Sequence, residues 1–332
     1  MRLPAMFEEF GLLGNVLVLI ASLIILDRAS ELTIDNAVKV SEISGLGKTT
    51  VGFILIALVT TLPELSVSVF AAILGEGVDI AIGNVLGSNV VNICLILGTG
   101  ILIASLKSSD RLKMLPLITE EEVGTLYFGL FIASVVPLTL LYVGYASRLI
   151  GILLIGIFAF YIYRLASMRR IKNECALGEE RAKLKLYTFL AVFGAAIVVA
   201  SANFIVDSAV YLAEYFGVPQ VILGATIVAF GTSLPEFANT VKSAFKGHLE
   251  LALGNIVGSC FTNITLILGV ALMSSTEIRE ITPFTSPILF SLITNLLLWY
   301  FLSSGRVGWR EALMLLFMYG IFLVVSFGGY RA

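Results

Sequence analysis

The sequence predicts an all-α integral membrane protein with ten transmembrane helices. Of its 332 residues, 58% are hydrophobic and only 13% are charged, whereas soluble domains carry about 25% charged residues. A helix needs roughly 20 mostly apolar residues to cross the hydrocarbon core of a bilayer, and ten charge-poor stretches approach that length. They lie at about 10–27, 50–74, 80–105, 123–144, 148–164, 186–212, 219–245, 251–274, 282–303 and 311–328.

The two halves of the chain carry the same pattern, which indicates an internal duplication. Shifted by 172 residues, the segment 35–75 aligns on the second half without a gap, and "TTLPEL" (60–65) falls on "TSLPEF" (232–237). One residue is then lost, and "GNVLGSNVVNICLILG" (83–98) falls on "GNIVGSCFTNITLILG" (254–269). Equivalent helices are an odd number of spans apart, so we expect two inverted five-helix repeats, a plan typical of secondary transporters.

The basic residues predict how the chain is oriented. We expect an N-terminal repeat at 1–164 and a C-terminal repeat at 186–332, joined by a short polar loop at 165–185. With ten spans, 17 of the 21 Lys and Arg residues fall on the side of the odd-to-even loops. Such residues concentrate in cytoplasmic loops, so the joining loop is expected to be cytoplasmic and both termini extracellular, in a multi-pass protein of the cell membrane.

Two glutamates lie at predicted membrane depth, one in each repeat. Residues 49–75 contain no acidic or basic residue except Glu64, and residues 215–241 contain none except Glu236. A charge at the bilayer centre costs about 2.5–3.5 kcal/mol even on insertion scales, so such residues are functional candidates. The plainer interpretation is a protonated glutamate that is hydrogen-bonded between helices.

Small and polar residues precede each glutamate at helical spacing i, i+3 and i+4. They are Ala57, Thr60 and Thr61 in the first repeat and Ala229, Thr232 and Ser233 in the second. Pro63 and Pro235, beside the glutamates, each remove a backbone donor and free carbonyl oxygens in the preceding turn. At membrane depth, freed carbonyls need protein, water or a ligand as partner.

The spans at 80–105 and 251–274 carry no charge, but each repeats a serine and an asparagine one turn apart. These residues are Ser88 and Asn92 in one span and Ser259 and Asn263 in the other. The glycine pairs in the same phrases, Gly83 with Gly87 and Gly254 with Gly258, predict close helix packing. Cys94 and Cys260 lie in apolar runs and are expected to be packing residues.

Together these groups predict an all-oxygen site with two negative charges near the bilayer midplane. Ca²⁺ takes 6 to 8 oxygen ligands, and Na⁺ can use the same oxygens, whereas zinc and copper prefer thiols and imidazoles. With the inverted repeat, such a site predicts a secondary transporter of cations. A Ca²⁺/H⁺ antiporter with the glutamates as proton carriers is the main alternative to one that uses Na⁺ as the counter-ion. A membrane-embedded hydrolase is less favoured, because the sequence has no HExxH motif and its single histidine lies outside the spans. A channel remains the third alternative.

The phrases "ALVTTLPE" (57–64) and "AFGTSLPE" (229–236), each followed by the GN–GS phrase, resemble the two alpha-repeats of the calcium/cation antiporter superfamily. Within it they are most similar to the sodium/calcium exchanger branch, in its prokaryotic form without a regulatory insert. The resemblance covers both halves. It implies an antiporter rather than an enzyme, which exchanges Na⁺ for Ca²⁺ by alternating access and electrogenically. It implies no cofactor, and neither a nucleic acid nor an obligate protein partner is expected beside the lipid bilayer.

The resemblance also implies roles for individual residues. Ca²⁺ is expected at the carboxylates of Glu64 and Glu236 and the carbonyls of Thr60 and Thr232. The Na⁺ sites and a central ion or water site are expected at Ala57, Ala229, Thr61, Ser233, Ser88, Ser259, Asn92 and Asn263. Proton-coupled relatives typically carry a glutamate near the end of the GN phrase, and its absence here favours Na⁺ over H⁺. Helices one and six are expected to slide across the other helices as the gate.

Overall fold

The computed structural model describes residues 10–65, 78–107, 112–113, 120–167, 177–215, 229–274, 279–280 and 284–328. Apart from turns and four two-residue strands, these residues are helical. The helices are α1 (Gly11–Ser44), α2 (Lys48–Thr60), α3 (78–107), α4 (Glu120–Val143), α5 (Arg148–Ser167), α6 (Leu177–Tyr215), α7 (229–246), α8 (249–274), α9 (Thr285–Ser303) and α10 (Trp309–Gly328). The predicted all-α class is confirmed.

Within the described residues, eight helices are long and apolar enough to cross a membrane, namely α1, α3 to α6 and α8 to α10. The chain is therefore an all-helical polytopic membrane protein. α2 is a shorter apolar helix, and α7 is interrupted at Ser233. The predicted spans at 50–74 and 219–245, which contain α2 and α7, lie partly outside the described residues. α6 begins at Leu177, inside the predicted loop, because the segment 178–186 is rich in good helix formers.

Four short strands join connections that are distant in sequence. β1 (Leu112–Lys113) pairs antiparallel with β4 (Arg306–Val307), and β2 (Tyr145–Ala146) pairs antiparallel with β3 (Arg279–Glu280). β1 and β4 thus bring the α3–α4 and α9–α10 connections to one side. β2 and β3 do the same for the α4–α5 and α8–α9 connections.

The backbones of α2 and α8 are in direct contact at two glycines. A Cβ at Gly254 would overlap the carbonyl oxygen of Thr49, and one at Gly258 would lie 2.7 Å from the carbonyl oxygen of Phe53. The close packing predicted for this glycine pair is therefore present. At Gly87, which is equivalent to Gly258, a Cβ would meet no described atom within 4 Å.

An aromatic cluster holds α2 and α8 against α4 and α5. The ring centroid of Phe53 lies 5.8 Å from that of Tyr161 and 5.5 Å from that of Phe261. Phe128 of α4 stacks on Tyr161 at 4.2 Å. Such ring pairs contribute about 0.5–1.5 kcal/mol each beyond their buried area. α2 and α8, which carry polar residues of the repeated phrases from the first and the second repeat, therefore rest on a rigid support.

We expect Gly258→Ala to destabilise the protein, because the added methyl group would meet the Phe53 backbone and force α2 away from α8. Overpacking of this kind costs roughly 1–3 kcal/mol. The midpoint of thermal unfolding of the purified protein in detergent measures the effect. Gly156→Ala is the matched control, since a Cβ there meets no described atom within 4 Å. An equal loss of stability in both variants would contradict the close-contact interpretation.

Candidate functional site

α2 and α7 are interrupted at equivalent residues of the two repeated phrases. Thr61 (φ −81°, ψ 5°) and Ser233 (φ −93°, ψ 9°) both leave helical geometry. Each lies two residues before a proline, Pro63 or Pro235. Proline lacks the N–H that a continuous helix requires, and its ring crowds the preceding turn. The interruption expected from the prolines is thus present in both repeats.

Wide π-type turns occur next to the polar residues of three helices. Gly52–Ile56 directly precedes Ala57 in α2. Val91–Leu97 in α3 and Asn263–Ile267 in α8 begin at or beside the two central asparagines. Such turns are rare in proteins overall, but those that occur are frequently found at functional sites. They place the side chains that follow at angles that a regular helix would not give.

Glu64 and Glu236 share one buried site, and both side chains are 0% exposed. Ser233 Oγ of α7 donates a hydrogen bond to Glu64 Oε1 at 3.1 Å. The Thr60 hydroxyl of α2 bonds the Glu236 carboxylate in return, and Ser259 Oγ of α8 donates to Glu236 Oε1 at 3.3 Å. The carboxylates are also close enough to repel each other. Each glutamate therefore receives a hydroxyl from the other repeat.

Several buried oxygens of the site have no hydrogen-bond partner among the described residues. They include Oε2 of both glutamates and the Oδ1 atoms of Asn92 and Asn263. An unsatisfied buried polar group costs about 1–3 kcal/mol, and more when it is charged. Because these groups are acceptors, a cation would satisfy them where a neutral apolar ligand would not.

Polar residues outside the predicted set line the same region. Asn255 Oδ1 of α8 accepts a hydrogen bond from the Thr60 hydroxyl at 3.4 Å. Asn255 Nδ2 donates one to the Thr240 hydroxyl of α7, also at 3.4 Å. Asn239 and Thr240 are fully buried one turn after Glu236. Their spacing of i+3 and i+4 from Glu236, on a charge-poor helix, is the sequence signal that could have found them.

The remaining predicted residues are placed as follows. Thr61 Oγ1 donates to the Ala57 carbonyl oxygen at 2.9 Å, within α2. Ser88 is buried in α3. Thr232 is partly buried beside Ser233, and Ala229 begins the described part of α7, with its side chain outside the description.

The donor set consists of two carboxylates with neutral oxygens. Among the residues that the structure describes, no group of three or more His, Cys, Asp and Glu side chains is close enough to hold a metal. A hard cation that accepts hydroxyl, carbonyl and amide oxygens fits this set better than a metal that needs several nitrogen or sulfur ligands.

Comparison with known proteins identifies relatives along the whole chain. The profile of the sodium/calcium exchanger protein family matches residues 14–166 and 186–328. Sodium/calcium exchanger MaX1 of Methanosarcina acetivorans is 30% identical in an alignment that covers 94% of this chain and 98% of that protein. Inner membrane protein YrbG of Escherichia coli is 32% identical over 304 residues, with 87% and 89% covered.

The fold is also similar to that of a solved protein. A structure of the sodium-calcium exchanger NCX_Mj, soaked with 10 mM Na⁺ and zero Ca²⁺, matches with a TM-score of 0.81 over 95% of this chain and 99% of that chain, at 22% sequence identity. At this identity the similarity concerns the fold alone. Since the family profile covers both halves and MaX1 is matched along nearly its whole length, the chain belongs to the sodium/calcium exchanger protein family.

Proposed function

We propose that this protein is a secondary-active antiporter that exchanges Na⁺ for Ca²⁺ across the membrane. The observation that carries the proposal is the pair of fully buried glutamates, joined across the two repeats by the hydrogen bond from Ser233 to Glu64. Membership of the exchanger family, and a relative that is itself named a sodium/calcium exchanger, support the choice of ions.

Ca²⁺ would bind between the two carboxylates, whose charges neutralise it. The carbonyls of Thr60 and Thr232 would add oxygens toward the 6 to 8 that Ca²⁺ takes. Na⁺ would use the other oxygens at flanking sites and at a central ion or water site. These oxygens come from Ala57, Ala229, Thr61, Ser233, Ser88, Ser259, Asn92 and Asn263.

The buried charges explain why exchange would be obligatory. Two carboxylates that are removed from water without a counter-ion carry a desolvation penalty of several kcal/mol each. Only the carrier loaded with Ca²⁺ or Na⁺ would therefore change the side to which it opens. More than two Na⁺ per Ca²⁺ would move net charge across the membrane and make the exchange electrogenic.

We infer that ten helices form two inverted repeats, 1–164 and 186–332, with the loop 165–185 in the cytoplasm and both termini outside the cell. The matched interruptions of α2 and α7 support the repeat. Contacts between helix ends support the topology, because Lys107 at the end of α3 bonds the Phe245 carbonyl oxygen near the end of α7 at 2.6 Å. The strand pairs join only connections that this topology places on the same side.

Purified protein in proteoliposomes is expected to take up Ca²⁺ when an outward Na⁺ gradient is imposed. Collapse of the pH gradient with a protonophore, at a clamped membrane potential, should leave the uptake unchanged. Uptake driven only by a pH gradient would instead indicate a Ca²⁺/H⁺ antiporter. Flux without any counter-ion would indicate a channel, and either result would overturn the proposal.

Glu64→Gln and Glu236→Gln are each expected to abolish exchange, because each removes one of the two charges that compensate Ca²⁺ while it keeps the side-chain shape. Ca²⁺ should also stop raising the midpoint of thermal unfolding of these variants, since a ligand stabilises a protein only when it binds the folded state. Glu311→Gln in α10, whose carboxylate accepts a bond from the Gly308 N–H, is the control. Near-normal exchange in either site variant would remove that glutamate from the central role.

An ion-pair ladder connects α1 to α7. Asp27 pairs with Lys242 at 2.7 Å, and Lys246 pairs with both Glu31 at 3.2 Å and Asp35 at 2.5 Å. The acidic residues of the ladder are spaced one helical turn apart on α1. Exposed pairs contribute only about 0.2–1 kcal/mol each, so they can form and break within a transport cycle. In our proposal, the formed ladder closes access to the ion site from the cytoplasm. The sliding helices α1 and α6 then leave the site open to the outside of the cell.

Replacing both Lys242 and Lys246 by Gln is expected to favour opening toward the side of the ladder. The half-saturating Ca²⁺ concentration at that face should fall by roughly two- to tenfold, because the binding-competent state becomes more populated. Transport in inside-out and right-side-out vesicles separates the two faces. Arg310→Gln, which removes a contact with the Trp309 ring at 5.4 Å within α10, should leave both faces unchanged. Unchanged values in the Lys variant would rule out the ladder as a closing contact.

A further inference from the structure

The two central amides have different neighbours in the opposite repeat. Asn263 Nδ2 donates to Asn89 Oδ1 at 3.2 Å, whereas the thiol of Cys260 lies beside Asn92. Asn89 and Cys260 occupy the same position of the repeated phrase, "GSN" at 87–89 and "GSC" at 258–260. All four side chains are 0% exposed. Each central asparagine thus lies beside the equivalent residue of the opposite repeat. That residue is an amide for Asn263 and a thiol for Asn92.

In the structure, the bond to Asn89 orients the Asn263 amide. An amide has a donor NH₂ end and an acceptor oxygen, and only the oxygen can bind a cation. Because the NH₂ group is held by Asn89, Oδ1 of Asn263 points elsewhere and is buried without a partner among the described residues. Turning the Asn263 amide alone would place two carbonyl-type oxygens against each other, which is unfavourable. The orientation is therefore kept as long as Asn89, whose Nδ2 has no partner among the described residues, presents its Oδ1.

Asn92 is held less firmly than Asn263. A thiol is a weak donor and a weak acceptor, and Cys260 Sγ is already directed at the Asn89 backbone oxygen, at 4.0 Å. The Asn92 amide interacts with this thiol, but neither of its side-chain polar atoms reaches full hydrogen-bond geometry with a described residue. Nothing comparable to Asn89 therefore fixes its orientation in the described part of the chain.

We propose that Asn89 is a positioning residue, which turns the Asn263 oxygen toward the transported cation, and that Cys260 holds the Asn92 amide more weakly. The two halves of the site consequently differ in their affinity for Na⁺, and Cys260 is more than the packing residue that its apolar surroundings suggested. The inference rests on the proposed exchange of Na⁺ for Ca²⁺ and assigns a source of Na⁺ affinity within it.

Three variants test the proposal. Asn89→Ala removes the acceptor, Asn89→Cys copies the thiol of the other repeat, and Cys260→Asn installs the missing amide. The loss of one hydrogen bond should raise the half-saturating Na⁺ concentration of Asn89→Ala roughly 2- to 12-fold. Asn89→Cys should give a smaller rise, and Cys260→Asn should lower the value. Ser134→Ala, which removes a buried hydroxyl bonded within α4 at 2.7 Å, should leave it unchanged.

Two measurements distinguish positioning from a loss of structure. In Na⁺-driven Ca²⁺ uptake, Asn89→Ala should change the half-saturating Na⁺ concentration while the maximal rate stays within about twofold. Adding Asn89→Ala to Asn263→Ala should have little further effect, because residues that act through one another are non-additive. An unchanged Na⁺ dependence of Asn89→Ala, or additive effects in the double variant, would overturn the proposal.

A titration of the thermal unfolding midpoint with Na⁺ gives a readout that does not need transport. The Na⁺ concentration that produces half of the stabilisation should be lowest for Cys260→Asn and highest for Asn89→Ala, as in the transport assay. If the wild-type protein carried no Na⁺-driven flux, the proposed exchange would fail, while this titration would still decide whether Asn89 controls Na⁺ binding. Should Asn89→Ala not fold, an unchanged midpoint titration for Cys260→Asn would refute the proposal.

Discussion

Two carboxyl groups held close together in the protein interior set the conditions for the rest of the structure. Glu64 and Glu236 are both fully buried and would repel each other when both are ionised, and burial of a charge is unfavourable unless an opposite charge or good hydrogen bonds compensate it. The hydroxyls of Ser233, Thr60 and Ser259 satisfy one oxygen of each carboxylate. The other oxygens stay unpartnered within the described residues, so a bound cation is the natural complement of the site.

The helices around the site combine rigid and weak contacts, and each kind suits its place. Where α2 meets α8, glycines bring the backbones into contact, and the ring of Phe53 is locked among those of α5 and α8. Close packing of this kind resists displacement because small shifts create overlap or voids. α1 is instead linked to α7 through exposed ion pairs, which are individually weak. In the proposed cycle, the binding residues stay fixed while α1 moves.

The features that the sequence predicts are those that one segment carries by itself. Glu64 and Glu236 are conspicuous because their neighbourhoods lack charge, and the prolines mark the interruptions because their effect is local. Of the ten predicted spans, eight correspond to helices in the described part of the chain that are long and apolar enough to cross a membrane. The π-type turns and the contacts of Asn255 and Asn89 were not predicted. They depend on which residues of different helices meet, and periodicity along one helix carries no information about that.

The two repeats agree more closely in backbone than in side chains. Thr61 and Ser233 have nearly the same dihedral angles, whereas Asn89 is matched by Cys260 and the packed Gly258 by the uncrowded Gly87. In the proposed cycle, the interruptions of α2 and α7 must give ions access to the same site from the two opposite sides of the membrane. This requirement constrains the geometry of the helices. The ligands need only provide enough oxygens in total. A duplicated exchanger can therefore diverge in its amides and hydroxyls, and so acquire unequal Na⁺ sites, while its helix breaks stay matched.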